Sequence, residues 1–451
     1  MIVAKFGGTS VADAAAISRV IDIIAPRRAE LPIVVVSALG GATNQLLAIA
    51  HKAVDGELLT SLELVGQLRD RHVRETQALL GSGTEAEELI GEIGSAFDEL
   101  AHLAEAFRTL GFLTPRSLDA VAAVGELLSS QLVAAAFRQR GLPATCVDAR
   151  DVMVTNDVFT KAEPDQAGIT ARAQERLLPL IAEGRIPVIG GFVGAAPGRI
   201  TTTLGRGGSD YSASLLGAAV GARAIEIWTD VDGMLTSDPR MIPKARLIER
   251  ISFEEAAELA SFGAKVLHPA TIAPAVERGI PVYIFNSRQP GGPGTAITFD
   301  APRLPVRAIA AKRATTLVKL RSSRMLLAQG FLRRVFEVFE RHRTSVDVVT
   351  TSEVSVSVTL DETHQLAAIQ QDLSALGEVE VAAPCGVLAI VGAGLADRPD
   401  ALAQALAALG PVPVHMASLS ATGINFTLVV PDAEVVPAMQ RLHAAFFEGA
   451  P

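Results

Sequence analysis

The sequence predicts an α/β protein: a mostly parallel sheet covered by helices on both faces over the first two thirds, then two small α+β modules in the tail. Three observations carry that expectation. Short β-rich runs alternate with long helical patterns up to about residue 290, the rhythm of parallel strands joined by crossover helices. A Pro/Gly break, RQPGGPGTAI at 288–297, interrupts it. Beyond the break the order of elements becomes βαββαβ and then βαββα.

The first run, IVAKF (2–6), precedes a helical pattern near 12–25. PIVVVSA (32–38) precedes helical patterns near 43–54, 58–81 and 84–110. A helix near 117–140 leads into ATCVDA (144–149), and one near 167–183 into IPVIGGFVG (186–194). The helix after Ser209 leads into AIEIWT (224–229), and helices near 253–260 and 269–278 lead into PVYIFN (281–286). Ligands of such sheets bind at the carboxyl ends of the strands. In the tail, TTLVKL (315–320), a helix over 330–342, SVDVVTT (345–351), EVSVSVTL (353–360), a helix over 363–376 and EVEVAA (378–383) make the first module. VLAIVGA (387–393), a helix over 399–409, PVHMAS (413–418), INFTLVV (424–430) and a helix over 433–446 make the second. The second lacks a last strand, which VRAIAA (306–311) is free to supply, so the two copies are expected to intertwine.

At 451 residues the chain is too long for one ordinary core. Hydrophobic residues make up 49% and charged residues 20%, the balance of a globular protein rather than a disordered one. With a net charge of −9 and no basic cluster, nucleic-acid binding is not expected. An anionic ligand then needs local cations and helix ends, not a global field. Cys146 and Cys385 are the only cysteines; they imply neither a disulfide framework nor a metal site and suit a reducing compartment. The start, MIVAKFGG, reads as a strand entering a turn and not as a signal peptide. No uninterrupted apolar run approaches the roughly 20 residues of a membrane span. The expectation is a soluble, cytoplasmic protein that binds neither membrane nor nucleic acid.

Two glycine turns carry the chemistry. In AKFGGTS (4–10) a strand ends in Lys5, then Gly7 and Gly8, then Thr9 and Ser10 opening a helix. Glycines let the backbone approach a phosphate, and helix-start N–H groups point at it. Lys5 can reach charge developing on a transferred phosphoryl group; a plain strand–turn with a solvated lysine reads the same. In TTTLGRGGSD (201–210), Gly205, Gly207 and Gly208 make a second such turn, with Ser209 as the expected N-cap of the helix. Arg206 offers a planar fork suited to a carboxylate, and Asp210 at the helix start can hold Lys5. Glu126 is the only charged residue between Ala120 and Phe137. A carboxylate in so apolar a helix needs a partner, which a substrate ammonium or another part of the fold would supply. SALGGATN (37–44) brings Thr43 towards the same cleft. Thr229 and Asp230 end a strand in WTDVDGMLTSDPR (228–240), Arg240 follows its DP turn, and FGAKVLHP (262–269) adds Lys265. Carboxylates and strand-end carbonyls suit a base and ribose; the two cations suit phosphates. His268, next to Pro269, reads as a packed turn histidine.

KFGGTS, GRGGSD, WTDVDG with TSDPR, and FGAKVLHP, in that order, resemble the aspartate kinases of the amino acid kinase family, and the likeness runs along essentially the whole chain. The tail resembles the paired ACT domains of that family, and MLLAQGFLRRVFE…SVDVVTTSEVSVSVTL is most like its lysine-sensitive, single-function members. The resemblance implies a three-layer αβα catalytic domain over 1–295 and two ferredoxin-like ACT domains over 312–384 and 385–451, the second completed by the strand at 305–311. It implies transfer of the γ-phosphoryl group of ATP to the β-carboxylate of L-aspartate, with feedback inhibition by lysine, threonine being the other effector such tails sense.

The same resemblance implies site residues. Lys5 and Asp210 are catalytic. Lys5, Gly7, Gly8, Thr229, Asp230, Leu235, Arg240 and Lys265 bind ATP; Leu235 stands where the family often has Tyr. Thr43, Glu126, Arg206 and Ser209 bind aspartate. Mg²⁺ arrives with ATP, held by phosphate oxygens and water, and no metal site of the protein's own is expected. Met325, Gly330, Phe331, Leu332, Ser345, Val346, Asp347, Ser352 and Glu353 form the effector pocket, with Asp347 and Glu353 facing the ammonium groups of lysine. ACT pairing between chains implies a dimer, or a tetramer built from dimers. Two rival readings stay open: a related kinase acting on another carboxylate, and a non-catalytic ACT-type amino-acid sensor. The tail at RLHAAFFEGAP reads as complete, without excluding a larger fused polypeptide.

Overall fold

In a computed structural model of the chain, residues 1–262 and 269–448 are described, the side chain of Pro269 excepted; Lys265 and His268 lie outside them. The chain divides into two compact units, Met1–Met234 with Val266–Phe299, and Leu235–Lys265 with Asp300–Pro451. The segment 235–265, expected within an uninterrupted catalytic domain, groups with the tail.

The first unit is built on β1 (Ile2–Phe6), β2 (Pro32–Val36), β3 (Ala144–Val147), β4 (Ile186–Gly190), β7 (Ala224–Thr229), β9 (Val282–Asn286) and β10 (Thr295–Ile297), in the spatial order β3-β4-β2-β1-β7-β9-β10. β5 (Val193–Ala196) and β6 (Ile200–Thr203) make a separate hairpin, and β8 (Arg250–Ile251) belongs to the second unit. Neighbours in this order are parallel except β9 and β10. Every residue of β1, β2 and β4 is buried, as a sheet covered on both faces requires.

Helices α1 (Ala14–Ile24), α2 (Ala42–Val54), α3 (Leu58–Leu80), α4 (Thr84–Leu110) and α5 (Pro115–Gln139) share one core with Ala4 and Phe6 of β1 and Val34 and Val36 of β2. Side chains alternate faces along a strand. Val3 and Lys5 therefore point to the opposite face, where α8 (Gly208–Val220) packs on β1. α6 (Gln166–Arg176) and α10 (Pro269–Glu277) flank α8, and α7 (Leu178–Ala182) follows α6. The helix expected near 167–183 is thus two helices: Pro179 lies in the first turn of α7, where its missing N–H is tolerated but an unbroken helix would lose a bond. α5 starts at Pro115 behind the Thr114 cap, whose side chain accepts from Ser117 N. α5 is long and apolar enough to cross a membrane by length and composition alone, although Glu126 and polar residues interrupt its apolar run, and most of it is buried inside the unit. Its Leu128, Leu132, Val133 and Phe137 join the shared core, each worth about 1.5–3 kcal/mol over exposure.

The second unit carries β11 (Ala308–Arg321), β12 (Val349–Thr351), β13 (Ser355–Leu360), β14 (Glu378–Val391), β15 (Met416–Leu419) and β16 (Asn425–Pro431) in one six-stranded antiparallel sheet, ordered β12-β13-β11-β14-β16-β15. The sequence separated strands at 306–311 and 315–320, and at 378–383 and 387–393. Each pair is a single 14-residue strand, β11 or β14. Irregular register around Lys312 and Thr315 marks the join. Ala308–Lys312 pair with Val387–Val391, whereas Leu317–Arg321 pair with Glu378–Ala382, so the second half of the sheet takes its missing strand from the segment that precedes the first. α11 (Phe331–Arg341) and α12 (Leu366–Ser374) close a core with Val356 and Val358. α13 (Pro399–Leu409) and α14 (Val435–His443) close another with Leu388 and Leu428. α9 (Phe253–Ser261), opened by a Ser252–Glu255 capping box, also belongs to this unit. The strand expected over 345–351 forms only at its end, because Thr359 takes the preceding residues: its carbonyl accepts from Asp347 N (3.0 Å) and its hydroxyl from Val348 N (3.0 Å).

Candidate active site

A cleft of about 400 Å³ opens in the first unit, lined by Lys5 of β1, the segment after β2, Glu126 of α5 and the glycine turn before α8. Lys5 is 8% exposed and its Nζ lies 2.6 Å from Asp210 Oδ1. The strand alternation that turns Lys5 away from the α1–α5 core aims it at the first turn of α8, and Asp210 holds it there. A Cβ on Gly7 would lie 3.5 Å from Lys5 Nζ, in ordinary contact with the ammonium.

Three helical starts contribute to the lining. The first is the 3₁₀ turn Gly8–Val11; the others are α2 behind Gly41 (φ 79°) and α8 behind Gly207 (φ 72°). None has a side-chain cap. Ser209, expected as the N-cap of α8, is inside the helix. Gly207 takes the cap because its left-handed φ is open to glycine. Uncapped starts leave N–H donors and a partial positive charge facing the cleft, an anion site by construction.

Glu126 sits on the opposite wall, 3% exposed, and its Oε2 has no partner. Burial raises its carboxyl to about pH 8, against relief from the N–H groups of Ala38 and of Glu126 itself. Gly190 makes room for it, since a Cβ there would lie 3.0 Å from the Glu126 carbonyl. Arg206 is exposed at the rim. Thr43 and Asn44 of α2 add polar groups. Ser37 ties the walls together: its hydroxyl donates to Ser209 Oγ (3.1 Å), and its carbonyl accepts from Ser129 Oγ of α5 (2.7 Å).

Lys5, Gly8, Thr43, Glu126, Arg206, Ser209 and Asp210 thus meet in one cleft. Gly7 departs from expectation: its N–H donates to Trp228 O (3.0 Å) and is not left for phosphate. Thr229 ends the adjacent strand β7 and Asp230 follows it, both outside the lining of this cleft, the Thr229 hydroxyl donating to Asp230 Oδ1 (3.3 Å). Leu235 and Arg240 belong to the second unit. There Leu235 bridges to Leu247, and Arg240 forms a bidentate pair with Asp238 (3.0 and 2.6 Å).

Sequence reasoning missed Phe192. It lines the cleft in the left-handed region (φ 66°), its N–H bound to Ser212 Oγ (2.9 Å) and its carbonyl to Leu204 N (2.9 Å). Such a backbone costs about 1–3 kcal/mol and concentrates at functional sites. The Gly190–Gly191 pair inside an apparent strand was the available signal.

The expected effector residues lie in the second unit. Phe331 is buried in the core beneath α11, which Gly330 caps at φ 75°. Leu332 and Glu353 are exposed. Ser352 Oγ bonds Ser355 Oγ (2.7 Å). Asp347 is not free: Lys312 Nζ lies 3.2 Å from its Oδ2 and also pairs with Asp361. Burial and the nearby Asp361 raise the Asp347 carboxyl, partly offset by Lys312.

The amino acid kinase family model matches residues 1–286, and an ACT domain model matches 388–446. The chain is 39% identical to the lysine-sensitive aspartokinase 3 of Escherichia coli K12 over 99% of both chains. It is 36% identical to the chloroplastic aspartokinase 3 of Arabidopsis thaliana, over 99% of this chain and 81% of that one. The crystal structure of E. coli aspartokinase III in complex with aspartate and ADP, described as an R-state, superposes with a TM-score of 0.84 at 38% identity, covering 99% and 100% of the two chains. The same enzyme with lysine and aspartate, described as a T-state, gives 0.82 at 38% identity over 99% of each. The chain belongs to the amino acid kinase family and, within it, to the aspartokinases.

Proposed function

We propose that the chain transfers the γ-phosphoryl group of ATP to the β-carboxylate of L-aspartate, giving 4-phospho-L-aspartate. The observation that carries this reading is Glu126: a buried carboxylate with an unpartnered oxygen, in a cleft that also presents Arg206 and Lys5. An α-amino acid complements both walls, its ammonium at Glu126 and its α-carboxylate at Arg206, with Thr43 and Ser209 beside it. The β-carboxylate has a pKa of about 4 and is already ionised at pH 7, so no general base is needed. The chemical difficulty is repulsion between two anions, which positioning and fixed positive charge overcome. Lys5, held by Asp210, stabilises the γ-phosphoryl group in transfer, and the uncapped helix starts offer N–H groups to the same charge.

Gly8, Thr229 and Asp230 suit the nucleotide; Leu235, Arg240 and Lys265 are assigned to it by family resemblance alone. Among the described residues no group of three His, Cys, Asp or Glu could hold a metal. Mg²⁺ would come with the nucleotide, held by phosphate oxygens and water, and would neutralise phosphate charge there. The two free thiols, Cys146 and Cys385, suit a cytoplasmic location.

Lysine is the inferred effector. Ser322 N donates to Val354 O (2.8 Å), which brings the segment before α11 next to Ser352 and Glu353. Asp347 follows the far end of α11, an 11-residue helix on the order of 15 Å long. One pocket using both ends needs a second copy of the chain, which favours a dimer through the first half of the sheet.

The test is acyl-phosphate formation from ATP, Mg²⁺ and L-aspartate, trapped with hydroxylamine, with and without lysine or threonine. Product lost on adding lysine supports both readings. Product insensitive to lysine leaves the kinase and removes the effector. Product only with another carboxylate selects the related-kinase reading, and none with any leaves an amino-acid sensor.

A further inference from the structure

A second buried carboxylate stands on the helix that carries Glu126. Asp119 is 1% exposed and lies seven residues, or two turns, before it on α5. It accepts from three donors on two separate segments: Thr160 N (2.9 Å) and Thr203 N (3.0 Å) at Oδ2, and Thr203 Oγ1 (2.6 Å) at Oδ1. A buried carboxylate satisfied by neutral donors alone is costly to keep, and burial does raise its carboxyl.

Both segments flank Gly205. Thr203 ends β6, two residues before it. Thr160 sits in a left-handed turn (φ 70°) whose carbonyl would be 3.1 Å from a Cβ on Gly205. Ala162 N closes the group by donating to Thr203 O (2.9 Å). Gly205 itself is left-handed (φ 76°) and leads directly into Arg206. Hence the entry to the Arg206 turn is clamped on one side by β6 and on the other by the Thr160 turn, and Asp119 holds both. Because Glu126 rides on the same helix, the clamp ties the two walls of the cleft to one rigid element.

We propose that Asp119 is a positioning residue for the amino-acid substrate: through Thr160 and Thr203 it sets the place of Arg206 relative to Glu126. It touches no substrate and takes no part in phosphoryl transfer. The inference rests on the aspartate kinase reading and deepens it, by naming what sets the spacing between the groups assigned to the α-carboxylate and the ammonium.

The experiment compares Asp119→Ala, Thr203→Val and Thr203→Ser with the parent, in the full-length protein. It measures aspartate affinity by calorimetry and KM and kcat by hydroxamate formation. We expect Asp119→Ala and Thr203→Val to raise the aspartate Kd and KM about tenfold, the scale of one hydrogen-bond-sized loss, with the KM for ATP within twofold. Thr203→Ser, which keeps the hydroxyl, should return aspartate affinity to near the parent value. A residue that only stabilised the fold would lower the melting temperature of the variants without a selective rise in aspartate Kd, and that result overturns the proposal. An equal rise for aspartate and ATP overturns it too. If Asp119→Ala does not fold, the Thr203 pair decides alone. If the parent protein makes no product with aspartate, the functional reading fails, not the clamp.

Discussion

Lys5 and Glu126 show how burial decides the role of a charge. Lys5 is buried but paired with Asp210; Glu126 is buried and unpaired at one oxygen. Lys5→Ala removes the charge that faces the transferred group. Turnover should fall by roughly 10²–10³, the scale for loss of one transition-state donor, with ATP binding little changed; an unchanged kcat removes Lys5 from the mechanism. For Glu126 the folded carboxyl titrates near 8 and the unfolded one near 4.5. Between those values the folded chain holds a proton that the unfolded chain has lost, so the stability of the unliganded protein falls as pH rises through that window and levels off above it. Glu126→Gln should remove that slope in denaturant titrations. A substrate ammonium favours the ionised form, so aspartate binding at pH 7 should release a proton. Calorimetry in buffers of different ionisation enthalpy reads this directly, and zero release would mean that Glu126 does not meet the ammonium.

At the scale of elements, the site depends on how closely two turns approach. A Cβ on Gly191 would lie 2.8 Å from Ser209 Cα, and one on Gly208 would lie 2.7 Å from Phe192 Cδ2. The turn between β4 and β5 and the start of α8 therefore interlock through missing side chains. Gly191→Ala meets backbone, not the tip of a flexible side chain, so α8 must shift. We expect a loss of about 1–3 kcal/mol in stability, the usual range for overpacking, with a larger aspartate KM because Ser209 and Arg206 move with the helix start. Urea unfolding and steady-state kinetics on one preparation check both parts; a variant as stable and as tight as the parent would show that the two turns are not coupled.

On the scale of the whole molecule, β11 and β14 make the tail a single sheet. Each 14-residue strand runs through both halves, so one half cannot change its strand positions without loading the other. This is the kind of bistable element through which an amino-acid effector shifts populations, limited by its differential affinity for the two states. Glu353 is exposed beside Ser352, away from the Lys312–Asp347 pair. Glu353→Ala should raise the lysine concentration for half-inhibition several-fold and leave uninhibited turnover intact; unaltered inhibition moves the effector pocket elsewhere. Light scattering should report at least a dimer.

Local signals were sufficient for much of this protein. The alternation of Val/Ile runs with amphipathic helices specifies a parallel sheet because backbone geometry sets the two periods. The glycine turn before α8 announces an anion site because Gly207 takes the left-handed cap at little steric cost and leaves the helix start without a side-chain cap. Glu126 was legible because a lone charge in an apolar helix must be answered by something. What required tertiary structure was everything set by contact between distant segments. The fusion of four expected strands into β11 and β14 depends on pairing across some 70 residues. Phe192 entered the site only through the packing of Gly208 against it. The commitment of the Gly7 N–H to Trp228, of Asp347 to Lys312, and of Asp119 to Thr160 and Thr203 follows from which donor or cation lies within about 3 Å. Propensity and period act over a few neighbouring residues, whereas hydrogen bonds and burial are settled only when the chain has folded back on itself.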